Sequence, residues 1–395
     1  MHESVMAPAN IRHRCGAQIT PLPILALLFC VLFSCQGIVP LRAPHYPAAV
    51  RRSARQYCAD LSLEQKIGQR FISWIDGTTI SASTRRLIRE GFAGGVILYP
   101  WNIVDSRQLR QITAELQAVA AQNKPAIRLF VCVDQEGGRV AGVRLSDITR
   151  FPAPHYWSRH ADTYFVESAA YIVGRELVSL GFNMNFAPVL DLYGTPDGSI
   201  IGDRSMGGDP DLVSRYGAAY LKGARRAGII SVIKHFPGHG SSTVDSHGSL
   251  PIVEHDQKTL AQRDLKPFIT AIHSGAEALM TAHLFMPQID PVYPVTLSKR
   301  ILGDLLREEL GFDGLVISDG VSMRAIADNY SLEETLILLF QAGVDMILVH
   351  SRYDALELIE MVVELHRSGA ISEHDINRGV ERILRIKTGH GLIAG

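Results

Sequence analysis

Eight short apolar runs alternate with helical patterns along most of the chain, and this alternation limits the possible folds more than any other feature. The runs are continuous in apolar character, which is typical of strands buried on both faces of a parallel sheet. They cover residues 71–75, 95–99, 128–133, 182–189, 229–234, 278–282, 314–318 and 344–349. Helical patterns at 106–122, 169–180, 212–226 and 332–341 lie between them, and a last amphipathic stretch covers 376–387. The sequence therefore predicts an α/β fold, a TIM-type (β/α)8 barrel in a single domain.

A doubly wound open sheet is the competing architecture. Such a sheet usually has a glycine-rich nucleotide loop after its first strand, and neither GGVILYP nor DQEGGRV has the G-x-G-x-x-G spacing. Glycine follows several helical patterns, at Gly181, Gly228 and Gly343, as expected where helices end. No internal repeat and no linker is evident after Leu61. Residues 61–395 are therefore predicted to form one domain.

Residues 1–35 have the pattern of an export signal. Positive charge at 12–14 precedes an apolar run at 21–34, and a run of about 14 residues is shorter than the roughly 20 that a membrane-spanning helix needs. The run ends in Leu-Phe-Ser-Cys at 32–35, which resembles a bacterial lipobox, so Cys35 would become the lipidated first residue of the mature protein. An uncleaved anchor helix and a plain secretory signal are the alternatives.

The segment after this leader is rich in proline. It carries Pro40, Pro44 and Pro47, and residues 36–60 are predicted to be a tether. We therefore expect an exported, membrane-anchored lipoprotein, in the periplasm or at the cell surface, rather than a cytoplasmic protein. Contact with the membrane is expected only through the N-terminal lipid or signal.

Charge and cysteine content exclude several classes of protein. Lys and Arg number 39 and Asp and Glu number 40, and this balance argues against a nucleic acid as the main partner. Of the five cysteines, only Cys58 and Cys132 lie beyond the leader, and Cys132 sits in an apolar run as a small buried hydrophobe would. The spacing offers neither a disulfide framework nor a metal-binding CxxC motif.

Polar residues follow the predicted strands, where the active sites of such barrels lie. They are Asp134, Glu136 and Arg139 after the third run, Asp191 and Arg204 after the fourth, Lys234, His235, His239, Asp245 and His247 after the fifth, His283 after the sixth and Asp319 after the seventh. A lysine at the position of Lys234 is costly to bury without a partner. Asp134, Glu136 and Arg139 are able to bind hydroxyl groups or to pair among themselves.

The segment KHFPGHG at 234–240, followed by DSH at 245–247, has the strongest chemical pattern in the chain. Asp245 is two residues from His247, so its carboxylate is able to hold one ring nitrogen and leave the other free for proton transfer. A zinc site and a merely structural polar loop are the alternatives. Asp319 ends an apolar strand, which favours a nucleophile at the barrel mouth, with a helix N-cap as the alternative.

These motifs, together with NFAPVLDL, IGDRSMG and GLVISDGVSM in the same order, resemble family 3 glycoside hydrolases, in particular their single-domain β-N-acetylglucosaminidase branch. The resemblance runs from about residue 61 to 387. It implies a retaining exo-enzyme that needs neither cofactor nor metal and takes N-acetylglucosaminyl glycosides, with peptidoglycan fragments as the source. The implied roles are nucleophile for Asp319, general acid/base for His247, orienting carboxylate for Asp245, and sugar binding for Asp134, Arg204, Lys234 and His235.

The sequence departs from the family pattern after DQEGGRV. The family often has an arginine two residues past the valine, where this chain has Gly142, and the nearest arginine is Arg144. Three other interpretations stay open. They are a metal-dependent barrel hydrolase built on His235, His239, His247 and Asp319, a family 3 β-glucosidase, and a sugar-binding lipoprotein without catalysis.

Overall fold

All eight predicted strands are present and pair in parallel. The barrel strands are β1 (Phe71–Ser73), β2 (Gly95–Ile97), β3 (Phe130–Val133), β4 (Met184–Asn185), β5 (Ile230–Phe236), β6 (Ala278–Thr281), β7 (Leu315–Ile317) and β8 (Ile347–Leu348). Hydrogen bonding follows the order β8-β1-β2-β3-β4-β5-β6-β7. A bridge between Ile317 and Met346 joins the two ends of this sheet. The predicted (β/α)8 barrel is confirmed.

The structure is a computed structural model that describes residues 46–193, 200–242, 245–246, 248–350 and 353–393. The predicted leader, the first part of the predicted tether and His247 lie outside these residues. The described residues belong to one compact unit. Among them, no helix is both long and apolar enough to cross a membrane.

The strands are apolar on both faces because each face packs against a different core. Ile72, Ile97 and Cys132 point into the barrel with Phe130 and Ile317, and all five are fully buried. Their neighbours along the strands pack outward against the helices. Cys132 is therefore a buried core residue, as predicted.

Helices surround the barrel, and each of the five predicted helical patterns overlaps one of them, although the helix over the predicted 169–180 already begins at Thr163. They are α1 (Ala48–Asp60), α2 (Leu63–Gln69), α3 (Ala82–Arg89), α4 (Ser106–Ala120), α5 (Pro154–His160), α6 (Thr163–Ser179), α7 (Pro210–Ala227), α8 (Gln257–Gln262), α9 (Leu265–His273), α10 (Arg324–Ala327), α11 (Leu332–Ala342), α12 (Ala355–Arg367) and α13 (Glu373–Gly389), with a π-helical segment at Arg300–Glu309. Gly181, Gly228 and Gly343 have φ of 92°, 85° and 90°, the left-handed conformation expected where helices end.

The predicted tether, residues 36–60, needs a correction. Residues Ala48–Asp60 form helix α1, which packs against α13. Ala54 and Cys58 are buried in this contact, and Arg55 pairs with Glu381 at 3.5 Å. The prolines that indicated a tether all precede the helix, and Pro47 is its N-cap residue. The folded body therefore begins before Leu61.

The C-terminal segment closes the amino end of the barrel. Ile383 and Ile386 of α13 pack against the interior residues of the strands, and Arg128 N donates to Leu392 O at 2.8 Å. Lys387 is fully buried here, donates to Gln69 Oε1 at 2.8 Å, and lies 5.0 Å from the centre of the Phe130 ring. Burial lowers the pKa of this lysine to about 7, because no carboxylate compensates for its lost hydration.

Replacement of Lys387 by methionine tests this burial through the pH dependence of stability. Between a folded pKa of about 7 and an unfolded value near 10.5, the unfolded chain holds a proton that the folded chain lacks. Stability of the wild type should therefore rise with pH relative to Lys387→Met, by up to about 1.4 kcal/mol per pH unit. Urea unfolding at pH 7.5, 8.5 and 9.5 measures the difference. Lys258→Met, at an exposed position on α8, is the control. If the free energy of unfolding has the same pH dependence in the wild type and in Lys387→Met, the assignment is wrong.

Candidate active site

A cavity of about 350 Å³ opens at the carboxyl ends of the barrel strands. Its polar lining includes Asp134, Glu136, Arg204, Lys234, His235 and Asp319, and its apolar lining includes Leu98, Tyr99, Phe186, Met280 and Leu348. Five of the seven predicted site residues thus meet in one place, although they are far apart in the sequence. The volume is at the small end of the range for ligand sites, which suits one sugar-sized molecule.

Lys234, near the end of β5, is the centre of the polar cluster. Its Nζ lies 2.6 Å from Asp134 Oδ1 and 2.7 Å from Glu136 Oε1, and its side chain is 2% exposed. Arg204 donates two hydrogen bonds to the same Glu136, from Nε to Oε2 at 2.8 Å and from Nη2 to Oε1 at 2.7 Å. The predicted need of Lys234 for a partner is therefore confirmed, and both partners come from the residues directly after β3.

The charges in this cluster stabilise one another. Burial by itself would raise the pKa of Glu136, but the charges and hydrogen bonds of Lys234 and Arg204 lower it to about 2. Burial likewise opposes the charge of Lys234, yet Asp134 and Glu136 hold its pKa above the ordinary value. Glu136, Lys234 and Arg204 are therefore ionised at neutral pH, which gives the cavity a floor of fixed charges.

A buried carboxylate orients His235. The Nδ1 atom of His235 lies 2.6 Å from Asp191 Oδ2. Asp191 Oδ1 accepts from the backbone N–H groups of His235 and His239 at 3.1 and 2.7 Å. Burial opposes the charge of Asp191, but these groups lower its pKa, so it stays ionised and accepts the Nδ1 proton. The other ring nitrogen, Nε2, is then directed to the cavity side, 3.5 Å from Arg204 Nη2.

Asp319 follows β7, half-buried in the cavity wall. One of its oxygens accepts from the N–H of Gly320 at 2.7 Å, and His283 Nε2 lies 3.1 Å from Gly320 O. Burial would raise its pKa, but His283, His235 and the Gly320 N–H lower it below the ordinary value. The N-cap interpretation is wrong, because the next helix, α10, begins at Arg324 with Met323 as its cap. The carboxylate is ionised and open to the cavity, as a nucleophile must be.

Asp245 lies apart from this cluster. It is exposed and is not among the described residues that line the cavity, while its carbonyl oxygen accepts from Gly248 N and Ser249 N in a tight turn. The carbonyl oxygen of Ser246 accepts from Ala325 N at 3.2 Å, which fixes this turn beside α10. Because His247 lies outside the described residues, the predicted Asp245–His247 pair stays a prediction.

A short hairpin, Gln135–Gly137 paired with Val140–Ala141, forms one rim of the cavity. Arg139 at its tip pairs with Asp203 at 2.8 Å, and does not pair with Asp134 or Glu136. A side chain at Gly142 would lie 2.6 Å from Val133 Cγ2, so this backbone has no room for the arginine of the family pattern. Arg144 lines the cavity instead, with its guanidinium hydrogen-bonded to the Ala141 and Arg139 carbonyl oxygens at 2.8 Å.

The predicted site omitted three residues that the geometry brings in: Glu136, Asp191 and Tyr99. Glu136 and Asp191 stand directly after strands, so the positional signal was present in the sequence, but their role as partners depends on contacts across the barrel. Tyr99 ends the second apolar run and gave no such signal. Among the described residues, no group of three or more His, Cys, Asp or Glu side chains has a metal-binding arrangement.

Residues 62–386 match the Glycosyl hydrolase family 3 N terminal domain, which covers most of the chain. The protein belongs to this family. Beta-hexosaminidase A of Pseudoalteromonas piscicida is 34% identical over 334 residues, which are 79% of this chain and 56% of that protein. A beta-hexosaminidase of Nitrosospira multiformis is 35% identical over 299 residues, 74% of this chain and 82% of that protein.

A solved structure of a family 3 enzyme is also similar to this chain. The family 3 beta-N-acetylglucosaminidase of Paenibacillus sp. str. FPU-7 matches with a TM-score of 0.81 and 39% identity, over 85% of this chain and 64% of that one. The chain thus spans only a little over half of the Pseudoalteromonas relative and less than two thirds of the Paenibacillus structure. These likenesses support the barrel and its site as a family 3 catalytic fold.

Replacement of Glu136 by glutamine should destabilise the fold, because Lys234 and Arg204 lose the carboxylate that they share. Breaking a buried ion pair from one side costs about 3–5 kcal/mol. Urea unfolding at pH 7 measures the loss. The matched control is Asp328→Asn, which breaks an exposed pair with Arg324 and should change stability by less than about 1 kcal/mol. Equal, small effects of the two changes would show that the cluster does not hold the barrel mouth together.

Proposed function

We propose that this protein is a retaining β-N-acetylhexosaminidase that removes terminal β-linked N-acetylglucosamine. The observation that carries the proposal is the ionised Asp319 carboxylate in one small cavity with the Lys234–Asp134 pair, Arg204 and His235. A nucleophile and a set of fixed hydrogen-bonding groups are what a glycosidase needs on the side of the sugar that it cleaves. The names of the family 3 relatives support N-acetylglucosamine as this sugar.

In the first step, Asp319 attacks the anomeric carbon. An Asp319 oxygen forms a bond to that carbon while the bond to the glycosidic oxygen breaks, and a proton from His247 goes to the leaving oxygen. The lowered pKa of Asp319 keeps this carboxylate ionised and ready to attack. The positive groups around it also stabilise the carboxylate when it leaves again in the second step.

In the second step, water replaces Asp319. His247, now neutral, takes a proton from the water, whose oxygen attacks the anomeric carbon, and Asp319 leaves as a carboxylate. Two inversions give net retention of the β configuration. The proposed part of Asp245 is to hold His247 in the correct orientation through a hydrogen bond. This part of the mechanism rests on the family resemblance, since the described structure leaves Asp245 exposed.

The sugar is held by charged groups that are fixed before it arrives. Asp134, 32% exposed at its side chain, faces the cavity with its hydrogen bond to Lys234 in place, so it is able to accept from sugar hydroxyls without rearrangement. His235, oriented by Asp191, and Arg204, oriented by Glu136, complete the polar wall. Their fixed positions reduce the entropy lost when substrate binds.

Hydrolysis of an aryl β-N-acetylglucosaminide tests the proposal. The full chain should be active with or without EDTA. Asp319→Ala should lower kcat by about 10⁴-fold or more, because the covalent step is lost. His247→Ala should lower kcat by about 10²–10⁴-fold, the usual contribution of a general acid and base. Azide as an external nucleophile should partly rescue Asp319→Ala and give an α-configured product.

Three results would contradict this proposal in different ways. Loss of activity with EDTA indicates the metal-dependent hydrolase built on His235, His239, His247 and Asp319. Faster cleavage of the aryl β-glucoside than of the N-acetylglucosaminide indicates a β-glucosidase. Absence of turnover on either, with binding of the free sugar retained, indicates a sugar-binding protein. Surface variant Asp328→Asn serves as the control for all assays, because its exposed carboxylate pairs with Arg324 on α10 and does not line the cavity.

We also propose that the natural substrates are peptidoglycan fragments, met outside the cytoplasm by a lipoprotein anchored through Cys35. The leader pattern at 1–35 supports export. The disaccharide of N-acetylglucosamine and anhydro-N-acetylmuramic acid should be cleaved with a higher kcat/KM than N,N′-diacetylchitobiose. The reverse order would favour chitin oligosaccharides as the source.

The lipid anchor has a separate test. A radiolabelled fatty acid should be incorporated into the wild type, and Cys35→Ser should abolish the label and release the protein from the membrane fraction. Cys30→Ser, within the apolar run, is the matched control and should keep both the label and the membrane association. Label that persists in Cys35→Ser would show that the lipobox interpretation is wrong.

A further inference from the structure

An exposed aromatic platform stands next to the cavity, on the segment after β2. Trp101 is 51% exposed, and its ring stacks on Tyr99 with ring centres 4.5 Å apart and an interplanar angle of 17°. The His350 ring, after β8, meets both edge-on, with centre distances of 5.3 Å to Tyr99 and 6.1 Å to Trp101. Tyr99 packs against the barrel interior, whereas Trp101 is not among the residues packed against either core, and an exposed aromatic face supported in this way points to binding.

The platform is continuous with the catalytic cavity. Tyr99 and Pro100 line the cavity together with Asp319 and Asp134. Burial, followed by the charges of Asp134 and Asp319, raises the pKa of Tyr99, which places its phenol near both carboxylates. The inner ring therefore forms part of the wall around the reacting sugar, and the outer ring, Trp101, extends that wall to the surface.

The backbone that carries Trp101 is held in place. Residues Pro100–Asn102 form one 3₁₀ turn, and the fully buried Asn102 donates to Ile75 O and Gly77 O, both at 2.9 Å. Asn102 Oδ1 also accepts from Tyr99 N at 2.8 Å, and Gln108 Nε2 donates to Asn102 O at 3.0 Å. The indole is thus presented on a fixed turn, so little ordering entropy is lost when a ligand stacks on it.

The chemistry of the platform differs from that of the cavity. The cavity floor has fixed charges that suit hydroxyl groups, whereas Trp101 and Tyr99 offer flat apolar faces. A β-linked pyranose presents its axial C–H groups on one apolar face, and this face packs against aromatic rings. A sugar joined to the one in the cavity would leave the polar floor at its glycosidic bond and pass along the aromatic wall.

We propose that Trp101, supported by Tyr99, is the stacking platform for the sugar on the leaving-group side of the scissile bond. The occupant is a pyranose ring of an oligosaccharide substrate, and the site selects saccharide leaving groups over small ones. This inference rests on the proposed glycosidase function. It assigns Trp101 to substrate specificity and leaves the chemical step to the groups in the cavity.

Two substrates with the same N-acetylglucosamine but different leaving groups test this assignment. N,N′-Diacetylchitobiose has a second pyranose ring, and β-N-acetylglucosaminyl fluoride has no ring in its leaving group. Trp101→Ala should lower kcat/KM for chitobiose by about tenfold, mainly through KM, and should leave kcat/KM for the fluoride within about twofold. Trp101→Phe, which keeps an aromatic face, should retain most of the activity on chitobiose.

Controls separate this inference from the proposed function. Tyr164→Ala removes a 77% exposed aromatic residue on α6 that does not line the cavity. This variant should leave kcat/KM unchanged for both substrates. If Trp101→Ala lowers kcat/KM equally for both substrates, or for neither, the platform is not a sugar subsite. The inference is then overturned, while the glycosidase function stands. If the wild type turns over neither substrate, the proposed function itself fails, and the platform assignment fails with it.

Discussion

The buried ammonium group of Lys234 is the constraint on which the site depends. An isolated lysine in the mouth of a barrel would lose its hydration without compensation, so it requires carboxylates within hydrogen-bonding distance. Asp134 and Glu136 meet this need, although Asp134 lies 100 residues before Lys234 in the sequence. Arg204, in the loop after β4, binds the same Glu136. Three βα segments are thereby tied together at the point where substrate would enter.

This network also sets the properties of the neighbouring groups. With Lys234 and Arg204 hydrogen-bonded to carboxylates, the cavity contains cations that are held in place in the free protein. Burial opposes the charge of Asp319, but His283, His235, the Gly320 N–H and Lys234 lower its pKa, so it stays ionised. His235 is kept in one orientation by Asp191. The part of the polar floor that the structure describes is therefore already formed in the free protein. The aromatic wall formed by Tyr99 and Trp101 adds a surface of opposite character beside it.

Much of this arrangement was predictable because it follows from local patterns. Strands buried on both faces must be apolar at every position, so all eight were visible as continuous runs. Seven of the observed strands are shorter than their runs, whereas β5 (Ile230–Phe236) continues past the end of its run at residue 234. The position of Asp134, Lys234 and Asp319 at the ends of the apolar runs or just beyond them predicted their convergence, since the carboxyl ends of barrel strands meet on one side. Helix α1 was not predicted, because its burial depends on α13 at the other end of the chain.

The sequence by itself determined the barrel, the family and the set of polar residues at its mouth, because these depend on periodicity and on position relative to strands. Only the tertiary structure decided which polar residues pair. In the folded protein Glu136 pairs with both Lys234 and Arg204. Asp191 pairs with His235, and Arg139 pairs with Asp203. The tertiary structure also set Trp101 on Tyr99 at the cavity rim. Such pairings depend on how strands distant in sequence are brought side by side by barrel closure, and no local pattern specifies which side chains then come within contact distance.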